Sequence, residues 1–342
     1  MTQLIEYLTE LTGFRDRDVI DTTLVRTLWE LLQPHSVAIY RAVGSPEDQR
    51  WMMRARQSSE SPDASADPLW AEFEDLPPLS EEPERCQALA GQTTTGLRRG
   101  RHVTAFPLST DRVVFGVAEI ETDAALPVQT HEMIGGILRL YRNFQSLLDY
   151  SEHDTLTGLL NRKSFDDSFS KIAAAAPSAP GTAASGRRTT LARAQYFLAM
   201  IDIDHFKSVN DRYGHLIGDE VLLLLARLMS RSFRSQDRLY RFGGEEFVVV
   251  MRCRDNADAI RVLERFRGTT ERQAFPQVNQ ITVSIGFTRI TAGDSPIGAL
   301  GRADKAVYYA KEHGRNQVHG YTDLAARGEV DTTEKVGAIE LF

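Results

Sequence analysis

Cysteine is nearly absent. Cys86 and Cys253 are the only two in 342 residues. They lie far apart and match no metal-ligand spacing, which argues against a disulfide framework and points to a reducing, cytoplasmic setting. Long apolar runs are missing too. None approaches the roughly 18–20 residues that a membrane span needs, so no span is expected. The opening MTQLIEYLTELTGFRDRD is acidic, with neither a basic n-region nor a cleavage site, so no secretory leader is expected. There is no basic excess: the formal net charge of −7 argues against a nucleic-acid polymer as partner. The first 150 residues hold 14 basic and 23 acidic side chains, leaving the remainder close to neutral. An anionic ligand would be easier to hold in that second part. No internal repeat is evident. What is present is ordinary for a globular chain, 42% hydrophobic and 25% charged, and long enough for two domains.

The first part reads as mixed α/β. DTTLVRTLWELLQP has helical apolar spacing, with Asp21 or Thr22 as N-cap and Pro34 beyond the end. SVAIYRAV and WMMRARQ read as strands around a turn-rich GSPEDQ, and RHVTAFPLS and RVVFGVAEIET as a pair joined by TD. SSESPDASADP and EDLPPLSEEPER are polar, Pro-rich and acidic, which predicts exposed loop. An antiparallel sheet with helices over residues 1–129 resembles a GAF sensory domain, and strands around a helix also fit PAS.

Residues 130–153 predict a connecting helix. Ile134, Ile137, Tyr141, Phe144 and Leu148 alternate steps of three and four, a heptad seam. Such a seam suits either packing on its own domain or a parallel connector between two protomers. The connector is the expectation, although Gly135 and Gly136 each weaken a helix by roughly 1 kcal/mol.

The chemistry gathers further on. YFLAMIDIDHFKSVND begins as an apolar run and ends in acids, like a strand buried on both faces with chemistry at its C-terminal end. Alternation puts Asp202 and Asp204 on one face. Two carboxylates at a core edge repel each other and resist desolvation, a conflict that a divalent cation resolves. Oxygen ligands favour Mg²⁺ or Mn²⁺. LYRF and EFVVVM predict a hairpin around Gly243 and Gly244, whose glycines permit positive φ. If that hairpin lies beside the Asp202 strand, Glu245 joins the cluster.

GGEEF (Gly243–Phe247), DIDHFKSVND (Asp202–Asp211), DTLTGLLNR (Asp154–Arg162) and ADKAVYYAKEHGRN (Ala303–Asn316) together resemble the GGDEF family of diguanylate cyclases. The resemblance covers residues 154–321. It implies an α/β (α+β) palm-like domain with a central, mostly antiparallel sheet flanked by helices. It also implies condensation of two GTP into cyclic di-GMP, with release of two pyrophosphates, across two facing domains of a homodimer.

By the same resemblance, Asp202, the backbone carbonyl of Ile203 and Glu245 would hold two Mg²⁺ or Mn²⁺ ions per half-site. Glu245 would also accept the proton, and Glu246 would be the less settled second acid. Asp219 and Asn210 would read guanine, with His215 in the same segment. An N-cap on DEVLLLLARLMSRSF is the plainer role for Asp219. Lys207, Lys311 and Arg315 would bind phosphate. Phe206, Leu156, Gly158, Leu159 and Phe247 read as fold and packing residues, while Asp154 and Asn161 fix the start of the domain through local hydrogen bonds.

RSQD (Arg234–Asp237) matches the family's RxxD inhibitory site for product, with Arg265 as a second contact; a helix-end charge pair is the plainer reading. No phosphodiesterase segment of the EAL type follows, so synthesis without hydrolysis is expected. The competing function is a catalytically silent receptor for cyclic di-GMP or GTP. Two segments depart from the family pattern: the Ala/Pro/Gly/Ser-rich AAAAPSAPGTAASGRR (Ala173–Arg188) and a C-terminal tail, residues 322–342.

Overall fold

Val37 and Ile39 face one side of strand β1 (Ser36–Ser45) while Ala38 and Tyr40 face the other, and all four are buried. A strand covered on both faces needs two apolar layers, and the first half of the chain supplies them. In this computed structural model, the described residues are 17–45, 47–67, 73–110, 114–176, 195–234 and 236–331. They form two units, Met1–Ser151 and Glu152–Phe342.

The first unit is a six-stranded antiparallel sheet. Its strands are β1, β2 (Asp48–Ser58), β3 (Ser61–Ser65), β4 (Thr94–Arg98), β5 (Arg101–Ser109) and β6 (Val114–Thr122), in the order β3-β2-β1-β6-β5-β4. Helices α1 (Arg17–Leu32) and α3 (Val128–Glu152) share a core with one face, through Leu24, Val25, Leu28, Ile134, Ile137 and Tyr141. Helix α2 (Pro83–Leu89) adds Ala88 to the cluster on the other, beside Tyr40 and Trp51.

Several expectations change here. SSESPDASADP contains strand β3, and EDLPPLSEEPER folds into two short 3-10 turns and the start of α2. Its Arg85 is buried because Glu119 accepts two hydrogen bonds from it, at 2.7 and 2.8 Å. Strand β4 carries no clear sequence signal. Asp21 is not an N-cap: it lies within α1, fully buried. It accepts from Tyr141 Oη at 2.5 Å and from Arg41 at 3.0 Å. Burial first, and the charge of Asp21 second, push the Tyr141 phenol well above its usual pKa.

The heptad seam is the largest correction. Ile134, Ile137, Tyr141 and Leu148 are buried within the first unit's own core, and Phe144 packs against it. A sheet face of Val, Ile and Phe is as good a partner for such a stripe as a second helix, and spacing alone cannot distinguish them. Leu140, Leu147 and Tyr150 instead stand 44%, 66% and 77% exposed.

The second unit is built on β8 (Gln195–Ile203), buried on both faces as expected. The sheet order is β12-β11-β8-β10-β9-β7, with β7 (Leu160–Asn161), β9 (Arg238–Gly243), β10 (Glu246–Cys253), β11 (Val283–Ile290) and β12 (Val318–Gly320). Only the two edge pairings are parallel. Phe197, Ala199 and Ile201 join a core with helices α6 (His215–Ser232) and α7 (Asn256–Arg272). Phe206, Leu159 and Phe247 belong to that core, and Leu156 packs on it. Helix α5 (Phe206–Tyr213) follows β8 directly.

On the opposite face, Gly286 of β11 lets helix α8 (Pro296–Glu312) come very close. A Cβ there would lie 2.2 Å from the Ala303 carbonyl oxygen and 2.3 Å from the Val307 nitrogen. Asn161 caps α4 (Arg162–Ala175) by accepting from Ser164 N, and Asp154 accepts from Thr157 N at 2.8 Å.

The domain runs past residue 321, because α9 (Tyr321–Ala326) buries Leu324. Residues 177–188 of the low-complexity insertion and 332–342 of the tail lie outside the described residues, while Ala173 and Ala176 are buried.

Candidate functional site at the end of the central strand

The register of β8 sets the site. Asp202 lies directly opposite Glu246 on β10 and opposite Ser284 on β11, so these three share one sheet face. Glu245 sits in the turn just before β10. Gly243 and Gly244 make that turn at φ 154° and 50°, a backbone that side chains resist. The hairpin and its placement beside β8 are as the sequence suggests.

Asp202 is 6% exposed. Its Oδ2 stands 2.7 Å from Lys311 Nζ, in the last turn of α8. Its Oδ1 is buried with no hydrogen-bond partner. Burial raises the Asp202 pKa, Lys311 draws it back, and Asp204 and Asp304 raise it further. Glu245 is raised by burial and then by Asp202. Glu246 is raised by burial, then by Asp202 and Asp304. Carboxylates that all resist ionisation in one place make a site short of positive charge. An orphaned, buried carboxylate oxygen within it fits a divalent cation.

Lys207 is exposed in the first turn of α5, and Arg315 is exposed just after α8. Asn210 is half-buried on α5. His215 and Asp219 are exposed in the first two turns of α6. The helix begins before Asp219, so Asp219 is not its N-cap. Asn210 is brought against α6 through Gly218, where a Cβ would meet Asn210 Oδ1 at 2.0 Å.

A second cluster forms where β9 begins. Asp237 Oδ2 accepts from Arg234 N at 2.9 Å, while its Oδ1 is buried and unpartnered. Burial pushes the Asp237 carboxyl up to about 6, opposed by the Arg234 backbone N–H and charge, then by the Arg252 backbone N–H and the charge of Arg265. Arg265 donates to the Ser232 carbonyl at 3.0 Å.

Sequence reasoning passed over three residues. Arg241 donates to the Gly244 carbonyl at 2.9 Å and to Asp154 Oδ1 at 3.0 Å, tying the glycine turn to the start of the domain. Asp304 adds a further negative charge near Asp202 and Glu246. Gly218 makes room for Asn210. For Arg241 the signal was its place two residues before the glycines.

The second unit is thus an α/β domain whose central antiparallel strand ends in an acid cluster faced by a helix-borne lysine. Residues 151–317 match the family model described as diguanylate cyclase, GGDEF domain, and this half of the chain belongs to the GGDEF family.

The response regulator PleD of Caulobacter vibrioides is 37% identical over 187 residues, 53% of this chain and 38% of PleD. The diguanylate cyclase VdcA of Vibrio cholerae is 36% identical over 172 residues, 48% of this chain and 45% of VdcA. The chain therefore spans less than half the length of these curated relatives. Among solved structures, the GGDEF domain of DgcB from Caulobacter crescentus in complex with c-di-GMP is 33% identical. That match covers 50% of this chain and 93% of the other, with a TM-score of 0.43.

Proposed function

We propose that the chain is a diguanylate cyclase that condenses two GTP into cyclic di-GMP and two pyrophosphates. The observation that carries this reading is the end of β8, where the unpartnered Asp202 oxygen, the Glu245 and Glu246 carboxylates and Lys311 meet. Among the described residues no three such side chains close tightly enough to hold an ion alone. Asp202, Glu245 and the Ile203 carbonyl would therefore share two Mg²⁺ or Mn²⁺ per half-site with water and phosphate oxygens, with Glu246 as the further acid. When bound, these ions supply charge neutralisation for the triphosphate and lower the pKa of the attacking hydroxyl.

Glu245 takes the proton as the 3′-oxygen of one GTP forms its bond to the α-phosphorus of the other and the bond to pyrophosphate breaks. Two such transfers close the ring. Lys207, Lys311 and Arg315 bind phosphate as point charges and a fork. Asp219 and Asn210 read the guanine edge, beside His215. Gly243 and Gly244 keep the turn low enough for nucleotide to approach.

Arg234, Asp237 and Arg265 form the proposed product-inhibitory site, supported by a buried Asp237 carboxylate that the charges of Arg234 and Arg265 both favour. The first unit is proposed as a GAF-like sensor. The reaction needs two facing half-sites, hence a homodimer. The exposed stripe of Leu140, Leu147 and Tyr150, round the helix from the spent seam, is the surface offered for it. A cytoplasmic location is proposed from the two free thiols.

The test is product analysis of the purified chain with GTP and Mg²⁺. Cyclic di-GMP should form, and Glu245→Gln should abolish it without unfolding the protein. Full activity in that variant would defeat the assignment; tight product binding without turnover would favour the silent receptor.

A further inference from the structure

Asp204 shares the sheet face of Asp202 but is engaged differently. It is 5% exposed. Its Oδ1 accepts from Ser284 Oγ at 2.7 Å, and its Oδ2 accepts from Thr282 Oγ1 at 2.7 Å and from the Asn316 backbone N–H at 3.0 Å. Its own N–H donates to the Thr282 carbonyl at 2.9 Å. Three donors on one buried carboxylate offset its desolvation, so no cation is needed to hold it there. The two acids of the DID run therefore do different work.

The third of those donors belongs to an unusual turn. After α8, Gly314, Arg315 and Asn316 have φ values of 112°, 62° and 50°. Left-handed backbone is strained for an ordinary residue, less so for Asn. Two such residues in succession persist only where the surroundings hold them. Here they are held from several sides. The Arg315 N–H donates to the Ala310 carbonyl at 2.9 Å. Asn316 Oδ1 accepts from Arg267 at 2.7 Å, and Asn316 Nδ2 donates to Glu271 at 2.8 Å. Asp204 supplies the anchor from the central strand. The backbone of the turn is thus pinned, while the Arg315 guanidinium has no hydrogen bond or ion pair with any described residue.

We propose that Asp204 is a positioning residue for triphosphate binding: through the Asn316 amide it holds the strained turn that presents Arg315. The proposal rests on the reading of Arg315 as a phosphate contact. Without the anchor the turn relaxes toward ordinary backbone and carries the guanidinium away.

The experiment uses the full chain and two probes, Mg²⁺ with GTP and Mg²⁺ with inorganic triphosphate, measured by calorimetry. Asp204→Asn removes the charge and turns one of two acceptor oxygens into a donor facing donors, and should weaken both by about tenfold. In an Arg315→Ala background the same change should cost nothing further, because the two act in series. Thr282→Val removes one donor to Asp204 and is the gentler variant should Asp204→Asn fold poorly. It should shift affinity the same way by less, again only when Arg315 is present. Hydrogen exchange should show the Asn316 amide losing protection in the Asp204 variant while amides of β10 keep theirs. Additive losses with Arg315→Ala, an unchanged Asn316 amide, or a wild-type chain blind to triphosphate would each overturn the proposal. A wild-type chain that binds triphosphate and makes no cyclic dinucleotide defeats the cyclase reading and leaves the role of Asp204 standing.

Discussion

Lys311 reaches from the last turn of its helix to the end of the central strand, placing its ammonium 2.7 Å from one oxygen of Asp202 and leaving the other oxygen unpartnered. Removing one partner of a buried pair strands the other's charge. Lys311 is a third exposed, so the cost of Lys311→Met is discounted to about 1–2 kcal/mol. Thermal unfolding should show this loss, and added Mg²⁺ should recover part of it by replacing the missing positive charge.

Gly218 separates stability from recognition. Ala in a helix interior is favoured over Gly by about 1 kcal/mol. The added methyl would meet Asn210 Oδ1 at 2.0 Å, an amide that can swing away, and Phe206 Cζ at 3.3 Å, a ring that need give only a few tenths of an ångström. Gly218→Ala should melt at the same or a higher temperature yet raise the KM for GTP by about tenfold, the scale of one lost base contact. A variant unchanged in both would remove Asn210 from the guanine site.

Tyr141 tests the joint between α1 and α3. Phenylalanine there leaves the buried Asp21 short of a donor, at about 1–3 kcal/mol. Trp29, Trp51 and Trp70 all belong to the first unit, so tryptophan fluorescence of the full chain reports its unfolding alone. Tyr141→Phe should lower that transition and leave unfolding of the second unit in place.

Asp237 gives a pH dependence. Its native carboxyl, raised to about 6, binds a proton more readily than in the unfolded chain. The native state therefore takes up protons between about pH 4 and 6. Stability from this group is fully present below the unfolded pKa and is lost as pH rises through 6. Product binding runs the other way, since the ionised carboxylate is the stronger acceptor for the guanine N–H groups. Inhibition by cyclic di-GMP should weaken as pH falls through 6, and Asp237→Asn should flatten both profiles.

Leu147→Asp tests the exposed stripe. The residue is 66% exposed, so the fold should stand, within about 0.5 kcal/mol. Light scattering should show dimers in the parent chain and monomers in the variant. Dimers in both would move the self-association elsewhere.

What could be read in the sequence follows what is local. The β8 run, the glycine hairpin and the local hydrogen bonds of Asp154 and Asn161 depend on near neighbours, and each stands as expected. The seam on α3 has a period that is right and a partner that is not, because periodicity says which face is apolar and nothing about what covers it. Asp21 looked like a cap because Asp commonly precedes helices; its real partners, Tyr141 and Arg41, lie 120 and 20 residues away. Asp204 looked like a twin of Asp202 because alternation gives direction without giving donors.

Gly286 gives the site a mechanical tolerance. The helix that carries Lys311 rests on bare strand, close enough that one methyl would touch its backbone at Ala303 and Val307. Helix backbone cannot yield as a side-chain tip can, so the helix itself would have to lift, and the lysine with it. Lys311 and Asp202 are held in reach by the spacing between two pieces of main chain. A chain with every signature motif intact could therefore fall silent through a substitution at a position that touches no nucleotide. The motifs would not reveal it.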